Sequence, residues 1–256
     1  MTEMIYPISE IFTSPQGEGV HSGTLMTFIR TAGCCVGKPY IGSITAGGKR
    51  HVVDMTKKMS MYLPIYTEKC TLYDGREFAC DTDYRVHKRM TIAEILAEVP
   101  WAVKDICLTG GEPLIHDLRP LVEALKADDR TVHLETSGTR PYTFSDGPHS
   151  GYIWVTVSPK HGCLKSMIEA ADELKFLVDK DFNPEKQIEV FPESTMYTIS
   201  DLAHFTPTFL QPVNGENEID PDNLRLCMEW QRKFPQFRLS LQGHKVLSRY
   251  IGELVR

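Results

Sequence analysis

The sequence predicts an α/β fold in which strands alternate with helices around a parallel sheet that is closed or partly closed into a barrel. Short apolar and β-branched runs recur along the chain, and helical patterns separate several of them. Strands that are joined by helices pair in parallel through right-handed crossovers. Polar or glycine-rich clusters also follow the strand ends, where such sheets bind their ligands. The functional site is therefore expected at the carboxyl edge of the sheet.

The apolar runs predict seven strands. The first is rich in threonine and apolar residues, and the later ones are of the buried type. The predicted strands span residues 24–31, 103–108, 131–135, 152–157, 173–178, 208–211 and 237–241.

Three helices carry recognisable boundary signals. Thr91 and Glu94 form a capping box, which predicts a helix up to residue 100. A second helix, with an apolar stripe, begins near residue 117. Asp220 precedes Pro221, a favoured first residue of a helix, so a third helix begins there. This last helix is expected to bury the side chains of Leu224, Cys227, Met228 and Phe234.

Length and composition favour one domain, residues 1–256, that acts on a small molecule. The net charge of -6 argues against direct nucleic-acid binding, which needs a clustered excess of Lys and Arg. The seven cysteines form no regular disulfide framework, and the N-terminus lacks a secretion-signal pattern. No apolar run approaches the ~20 residues that cross a bilayer. We therefore expect a cytoplasmic protein, not bound to membranes, whose reduced thiols are available to a metal.

Residues 35–69 interrupt the regular alternation and are interpreted as an insertion, because about 35 residues can hardly bury a core alone. The segment has a net charge of +4, which leaves -10 for the rest of the chain. Such asymmetry can steer an acidic partner protein to this surface. A solvated flap that only spaces the cysteines or pads a dimer contact is the alternative. Its basic residues are Lys38, Lys49, Arg50, Lys57, Lys58 and Lys69.

Three cysteines, Cys34, Cys70 and Cys80, flank this insertion. Thiolates suit either zinc or an iron-sulfur cluster, because both prefer sulfur ligands. A closed zinc site needs a fourth ligand, which His51 or His87 could supply. A [4Fe-4S] cluster on three cysteines instead leaves one iron open to a cosubstrate. Three buried, unreactive thiols are the remaining interpretation.

Other polar residues also fall where loops meet strands. Gly110 and Gly111 follow a predicted strand, and their bare edge, with Glu112, can receive the amino group of an amino-acid moiety. Glu18 lies in a glycine-containing turn, where a carboxylate can accept hydrogen bonds from an N-H rich ring. Arg30 ends the first predicted strand, just before the first cysteine. Taken singly, each is equally an ordinary turn or a surface charge.

Taken together, the cysteines and the GGEP motif resemble the radical S-adenosylmethionine (SAM) superfamily. A closer resemblance is to the 7-carboxy-7-deazaguanine synthase family, because eight short motifs occur in that family's order. They cover nearly the whole chain outside the insertion. The motifs are PQGEG at 15–19, FIRTAGC at 28–34, CDTDY at 80–84, TGGEP at 109–113, ETSG at 135–138, VSPK at 157–160, LQP at 210–212 and QGHK at 242–245.

The resemblance implies a partial (β/α)6 barrel of the radical SAM type, with the insertion in its cluster-binding loop. It also implies a carbon-nitrogen lyase of queuosine-type 7-deazapurine biosynthesis. Such an enzyme contracts the ring of 6-carboxy-5,6,7,8-tetrahydropterin to 7-carboxy-7-deazaguanine and releases ammonia. The implied cofactors are a [4Fe-4S] cluster, SAM and Mg2+. Flavodoxin or ferredoxin would supply the electron, and a homodimer is expected.

The resemblance assigns catalytic roles to Glu18, which would read the guanidine-like edge of the pterin, and Arg30, which would pair with its carboxylate. The implied substrate contacts are Pro15, Gln16, Gly17, Arg30 and Thr109. The implied SAM contacts are Gly111, Glu112, Ser158, Pro159, Lys160, Gln211, Pro212, Val213 and Asn214. The implied metal ligands are Cys34, Cys70 and Cys80 for the cluster and Thr82 for Mg2+.

Two features depart from the family pattern. The usual cluster motif is C-x3-C-x2-C, whereas 35 residues separate Cys34 from Cys70 and nine separate Cys70 from Cys80. Cys35 is taken as a spare thiol, because its side chain points to the other side of an extended chain. The chain also continues to Arg256, whereas relatives often end shortly after the His-Lys motif and use their terminal carboxylate near substrate.

Two other functions stay open at this point. Another radical SAM enzyme, such as a glycyl-radical activase, would share the cysteines and the GGEP motif but lacks the PQGEG and CDTDY neighbours. A zinc-stabilised scaffold that binds a nucleotide would need neither SAM nor an electron donor.

Overall fold

The structure, a computed structural model, describes residues 4–36, 69–190, 195–215 and 218–251. Its strands are β1 (Ile5–Pro15), β2 (Leu25–Thr31), β3 (Lys69–Thr71), β4 (Glu77–Ala79), β5 (Lys88–Thr91), β6 (Asp105–Gly110), β7 (Thr131–Thr136), β8 (Ile153–Val157), β9 (Glu173–Val178), β10 (Gln187–Val190), β11 (Thr195–Thr198), β12 (Thr208–Pro212) and β13 (Phe237–Leu239). Its helices are α1 (Ile92–Glu98), α2 (Arg119–Ala127), α3 (Lys165–Glu169), α4 (Ile199–Leu202), α5 (Pro221–Lys233) and α6 (Gly243–Ile251), with a 3-10 turn at Pro113–Ile115.

Nine of these strands form one sheet in the order β13-β12-β9-β8-β7-β6-β2-β1-β5. Seven of them pair in parallel with their neighbours, namely β2, β6, β7, β8, β9, β12 and β13. Strand β1 runs antiparallel to both β2 and β5 and so extends the sheet at one edge. Two separate hairpins, β3-β4 and β10-β11, lie outside this sheet. The architecture confirms the predicted α/β class and is that of a partial barrel with helices on its outside.

The two faces of the parallel strands differ in polarity, because successive side chains point to opposite sides of a strand. On β7, Val132 and Leu134 are fully buried in the core that packs against the helices. His133, which lies between these two residues, and Glu135, which follows them, face the inside of the barrel. The register places inward-facing polar side chains of neighbouring strands side by side, with Arg30 beside Thr109 and Glu135 beside Thr156. The barrel therefore has an apolar outer core and a polar inner wall.

Each predicted strand is present, with ends that differ from the prediction by at most two residues. The capping box is confirmed, since Glu94 N donates to Thr91 Oγ1 at 3.2 Å and Thr91 N donates to Glu94 Oε2 at 2.7 Å. Asp220 accepts from Asn223 N at 2.9 Å and caps α5 as predicted. The predicted burial of Met228 is wrong. Its side chain is 41% exposed, because the adjacent Cys227 occupies the buried face of the helix.

Several elements escaped the sequence analysis. Strand β1 contains Pro7 and a register shift between Ile8 and Glu10, and both features disguise its alternating pattern. The hairpins β3-β4 and β10-β11 have strands of three or four residues, which are too short for a periodic signal. The helix α6 begins at Gly243, a residue that predicts a turn more often than a helix. Residues 37–68, most of the proposed insertion, lie outside the described residues.

Within the described ranges, every helix is too short or too polar to cross a bilayer. The seven cysteines all carry free thiols.

Candidate active site

The TGGEP loop at the end of β6 packs directly against the chain that follows β2. A Cβ atom on Gly110 would lie 2.5 Å from Thr31 O, and one on Gly111 would lie 2.4 Å from Gly33 O. The Gly111 Cβ would also come within 2.6 Å of the Cys34 Cβ. No side chain fits at either position, because the atoms in the way belong largely to the backbone. The two glycines therefore bring the bare edge of this loop against the first cysteine.

Glu112 ties the ends of two neighbouring strands together. Its side chain is fully buried, and it accepts hydrogen bonds from Leu114 N at 3.1 Å and Thr136 Oγ1 at 2.7 Å. Ser137 donates to the same carboxylate through its backbone N at 2.8 Å and through its hydroxyl. The carboxylate thus links the ends of β6 and β7, and it already accepts hydrogen bonds from groups of the protein. Its predicted contact with the cosubstrate stays a prediction.

Among the three predicted cluster ligands, Cys70 lies within electrostatic range of both Cys34 and Cys80. In the β3-β4 hairpin, Cys70 stands opposite Phe78, and Cys80 follows two residues later on the same face. Burial raises the pKa of Cys34, Cys70 and Cys80, and neighbouring thiolate charges raise it further for Cys34 and Cys70. A bound cationic cluster would reverse that penalty, because it stabilises thiolates. Three free thiols gathered in this way fit a soft metal cluster.

Lys160 supplies a positive charge beside these thiols. Its Nζ lies 5.7 Å from the centroid of the Phe78 ring, and its charge lowers the pKa of both Cys70 and Cys80. Burial, together with the charge of Lys175, lowers the pKa of Lys160 itself. The SPK loop after β8 is therefore next to the predicted cluster site, although its contact with SAM is untested.

The remaining candidate metal ligands have other neighbours. Cys35 Sγ lies 3.5 Å from Thr139 Oγ1, on the loop after β7. His87, an alternative zinc ligand, is exposed and lies 3.5 Å from Asp83, whereas His51 is outside the described residues. Thr82 accepts a contact from the Cys80 thiol at its backbone oxygen, 3.9 Å away. Over the ranges that the structure describes, no three His, Cys, Asp or Glu side chains form a group that could hold a single metal ion.

Two of the predicted substrate contacts meet on one carboxylate inside the barrel. Gln16 Nε2 donates to Glu135 Oε1 at 3.1 Å, and Thr109 Oγ1 donates to Glu135 Oε2 at 3.4 Å. Burial raises the pKa of Glu135, but Lys175, the Gln16 hydrogen bond and Arg30 lower it on balance. Glu135 is therefore an ionised acceptor that fixes the orientation of both side chains. The sequence analysis quoted the ETSG motif but gave Glu135 no role.

Glu18 reaches the inner wall from the loop between β1 and β2. Its Oε2 forms an ion pair with Lys175 on β9, and its Oε1 accepts from Gln211 Nε2 at 3.3 Å. Ser240 Oγ donates to Gln211 Oε1 at 3.0 Å and so fixes the amide. The predicted substrate residue Glu18 and the predicted cosubstrate residue Gln211 are thus in direct contact.

Arg30 lies on the inner face of β2, next to Thr109 on β6. Its Nε donates to Glu10 Oε1 on β1 at 2.8 Å, and its side chain is 20% exposed. That ion pair, made through Nε, orients the guanidinium. Its predicted pairing with a substrate carboxylate stays a prediction, as does the role of Glu18.

The last motif, QGHK, closes the site from the other end of the sheet. Gly243 N donates to Gly17 O at 3.2 Å, and a Cβ on Gly17 would lie 2.8 Å from Gly243 N. Asn214 Nδ2 donates to Gln242 Oε1 at 2.9 Å. Lys245 Nζ donates to Asp81 Oδ2, directly after the third cysteine, at 2.8 Å. The loops of the first and last strands therefore meet beside the cluster loop.

The sequence analysis missed Lys175, which the structure places at the centre of this site. A usable signal was present, because Glu173 and Lys175 occupy alternate positions of an otherwise apolar strand. Charged residues on one face of a buried strand require partners. Lys245 and its partner Asp81 are 164 residues apart, and no sequence pattern pairs them.

A parallel partial barrel with clustered cysteines and a GGE loop at its carboxyl edge defines a radical SAM enzyme. Comparison with protein-family models gave no match. The chain is 31% identical over 245 residues to 7-carboxy-7-deazaguanine synthase from Synechocystis, covering 94% of this chain and 92% of that protein. It is 30% identical over 251 residues to the Escherichia coli K12 enzyme of the same name, covering 96% and 99%. The chain belongs to the 7-carboxy-7-deazaguanine synthase family.

A solved structure agrees with this assignment. The crystal structure of QueE from Escherichia coli matches with a TM-score of 0.59 at 26% sequence identity. The match covers 94% of this chain and 95% of that one. The family and the fold class that the sequence motifs predicted are both confirmed.

Proposed function

We propose that this chain converts 6-carboxy-5,6,7,8-tetrahydropterin to 7-carboxy-7-deazaguanine and ammonia, as a radical SAM carbon-nitrogen lyase of queuosine-type 7-deazapurine biosynthesis. One observation carries the proposal for this chain's own residues. Gln16, Glu18, Arg30 and Thr109 come from three different motifs, and all four reach the polar inner wall next to the cysteine loops. The near full-length likeness to enzymes named for this product supports the same reaction.

The donor atoms present suit the cofactors of the reaction. We assign Cys34, Cys70 and Cys80 to a [4Fe-4S] cluster, which with SAM supplies the radical chemistry when bound. The bare edge at Gly111, the SPK loop at 158–160 and the residues 211–214 after β12 would hold SAM. All three segments lie at carboxyl ends of parallel strands, where such barrels bind ligands. Thr82, directly after the cluster loop, would bind Mg2+, a cation that needs few protein ligands because it keeps several waters.

The chain's own part in the reaction is to orient the substrate and exclude water. Glu18, as a carboxylate, accepts hydrogen bonds from the guanidine-like edge of the pterin. Arg30 offers its planar guanidinium to the substrate carboxylate, a two-point contact that lysine cannot copy. The buried side chains of Gln16 and Thr109, which Glu135 holds in place, line the space between Glu18 and Arg30. The substrate is thereby held at both ends with its reacting carbon toward the cosubstrate.

The partners and location are also proposals. A flavodoxin or ferredoxin would reduce the cluster, two copies of the chain would form a homodimer, and the enzyme would work in the cytoplasm. Seven free thiols suit a reducing compartment. The basic insertion that would receive the reductant lies outside the described residues.

Anaerobically purified protein tests the proposal. Iron and sulfide analysis is expected to give about four of each per chain, as one [4Fe-4S] cluster requires. Incubation with reductant, SAM and the tetrahydropterin should then yield 7-carboxy-7-deazaguanine and ammonia, detected by mass spectrometry and an ammonia assay. Cleavage of SAM without conversion of the pterin would assign the chain to another radical SAM reaction. Absence of iron, with zinc in its place, would reject the class of reaction altogether.

A further inference from the structure

Lys175 is a buried lysine inside the barrel, with 7% of its surface exposed. It projects from the inner face of β9, where the neighbouring inward position holds Glu173. A buried ammonium is costly unless it is paired and hydrogen-bonded. The surrounding carboxylates must therefore account for its presence.

The partner of Lys175 is Glu18, to which its Nζ donates a hydrogen bond. Burial lowers the pKa of the Lys175 ammonium, but the charges of Glu18 and Glu135 raise it by more. The Glu173 carboxylate also faces it, although that group is engaged by Thr156 Oγ1 and Val20 N, each at 2.8 Å. The ammonium of Lys160 is a nearby like charge, and Arg30 is a second cation whose charge acts on Glu135.

Lys175 thus acts on both carboxylates that organise the proposed substrate site. It contacts Glu18 directly, and its charge acts on Glu135, which in turn orients Gln16 and Thr109. Without a nearby cation, two carboxylates in one buried pocket would repel each other and favour taking up a proton. A protonated acid loses acceptor sites and gains a donor, which opposes N-H donors of a ligand.

We propose that Lys175 is a positioning residue for the pterin, which holds Glu18 and Glu135 as aligned carboxylates before the substrate arrives. The inference rests on the proposed function and assigns a role in the same site. Lys175 itself touches no reacting atom. It acts through Glu18, and its removal therefore affects the binding of the pterin and leaves the binding of SAM intact.

The test compares Lys175→Met, which removes the charge, with Lys175→Arg, which keeps it. For the methionine variant we expect KM for the tetrahydropterin to rise at least ~10-fold, since an unpaired buried charge costs this much or more. Iron content and the dissociation constant for SAM should stay at wild-type values. The arginine variant should recover most of the affinity. Lys104→Met is the matched control, because Lys104 pairs with Asp129 on the surface, 2.5 Å away.

A double-mutant cycle separates a positioning role from a structural one. If Lys175 acts through Glu18, the double variant Glu18→Gln/Lys175→Met loses no more affinity than the worse single variant. Losses that multiply, or an unchanged KM in Lys175→Met, would overturn the inference. Lys175→Gln is a second neutral variant in case the methionine variant does not fold. If both neutral variants fail to fold while Lys175→Arg folds, the residue is structural and the inference is also overturned.

Failure of the proposed function has a different signature. In that case wild-type protein binds and converts no tetrahydropterin at all, whatever stands at position 175. A wild-type enzyme that turns over the pterin, together with an unaffected Lys175→Met variant, removes only the role of Lys175.

Discussion

Arg30 and Glu18 place opposite charges on the inner wall, and each already has a partner of its own, Glu10 and Lys175. We expect Arg30→Ala and Glu18→Gln to keep the cluster and to cleave SAM, but to lose ring contraction. Each change removes a charged partner from a desolvated substrate and should lower kcat/KM by roughly 30- to 1000-fold. The measurement is product formation by mass spectrometry beside 5'-deoxyadenosine formation without pterin. Normal turnover of pterin by either variant would reject the substrate assignment.

The cysteines can be tested one at a time. Alanine at position 34, 70 or 80 should abolish iron binding after reconstitution, because each removes one of the proposed cluster ligands. Cys35→Ala is the matched control, since its thiol lies against Thr139 and the change should leave iron content unaltered. Iron and sulfide are measured per chain under anaerobic conditions. Loss of iron in Cys35→Ala with retention in Cys34→Ala would reverse the assignment of the first ligand.

His133 is expected to make the free energy of unfolding depend on pH near neutrality. Its Nε2 lies 2.9 Å from Asp105 Oδ1, and burial lowers the pKa of the imidazole below its usual 6.5. The unfolded chain therefore binds more protons than the folded one as pH falls below 6.5. Stability should drop as pH falls from there toward the folded pKa, by up to about 1.4 kcal/mol per pH unit.

Urea unfolding of wild type and His133→Gln at pH 7.5 and 5.5 measures the contribution of His133 to the pH dependence of the unfolding free energy. Glutamine can still donate to Asp105 but does not titrate. The difference in unfolding free energy between the two pH values should be smaller for the variant. Equal differences would mean that His133 titrates alike in both states.

At these single positions the sequence predicted residue types better than roles. The placement of Gln16, Glu18, Arg30 and Thr109 at the inner wall could be predicted, because strand ends and glycine turns are recognisable in the sequence. The partners of buried side chains cannot be recognised in the sequence. The register of neighbouring strands decides which side chains lie beside a carboxylate such as Glu135.

Among the elements, the β3-β4 hairpin carries one predicted cluster ligand and leads directly to the next. Arg76 fastens it to the barrel, since its Nη1 donates to Asp179 Oδ1, directly after β9, at 2.6 Å. Within the hairpin turn, its Nε donates to Asp74 Oδ2 at 2.7 Å and orients the guanidinium. Tyr73 adds an aromatic contact to Phe176, with ring centroids 5.7 Å apart. The cysteine on this hairpin is therefore presented by a docked element, despite its distance from Cys34 in the sequence.

Arg76→Ala should loosen the hairpin. Loss of these charge-assisted hydrogen bonds is expected to cost about 1–3 kcal/mol of stability and to lower iron retention during dilution. Thermal unfolding and iron release to a chelator are the measurements. Arg119→Ala removes an exposed ion pair with Asp117 and is the control, which should change neither value. Unchanged iron retention in Arg76→Ala would mean that the hairpin is held by its apolar contacts alone.

The parallel strands of five residues or more in the sheet were predicted well, as β9 shows with the same ends in prediction and structure. The β3-β4 hairpin was not predicted, because its three-residue strands derive their stability from docking against the barrel. Strand β1 was missed for a different reason, since its bulge breaks the two-residue period.

For the molecule as a whole, the charge distribution predicts which surface an electron donor would approach. Residues 35–69 have a net charge of +4 in a chain of net charge -6, and an acidic reductant should be attracted to them. Neutralising Lys49, Arg50, Lys57 and Lys58 should slow turnover with flavodoxin, most strongly at low salt, where screening is weakest. Turnover with dithionite should be unchanged. Equal rates with both reductants would leave the insertion as a spacer or a dimer contact.

The loop of residues 16–24 joins the two ends of the chain. Gly19 N contacts Ser240 Oγ at 3.4 Å, across a separation of 221 residues. A ribosome adds about 5–20 residues each second, so the loop waits roughly 10–45 s for its partners to be synthesised. Contacts of such long range are also among the slowest to form in a finished chain. During synthesis, the cluster loop therefore emerges seconds to tens of seconds ahead of a closed pterin pocket, and only the completed chain can bring the two together.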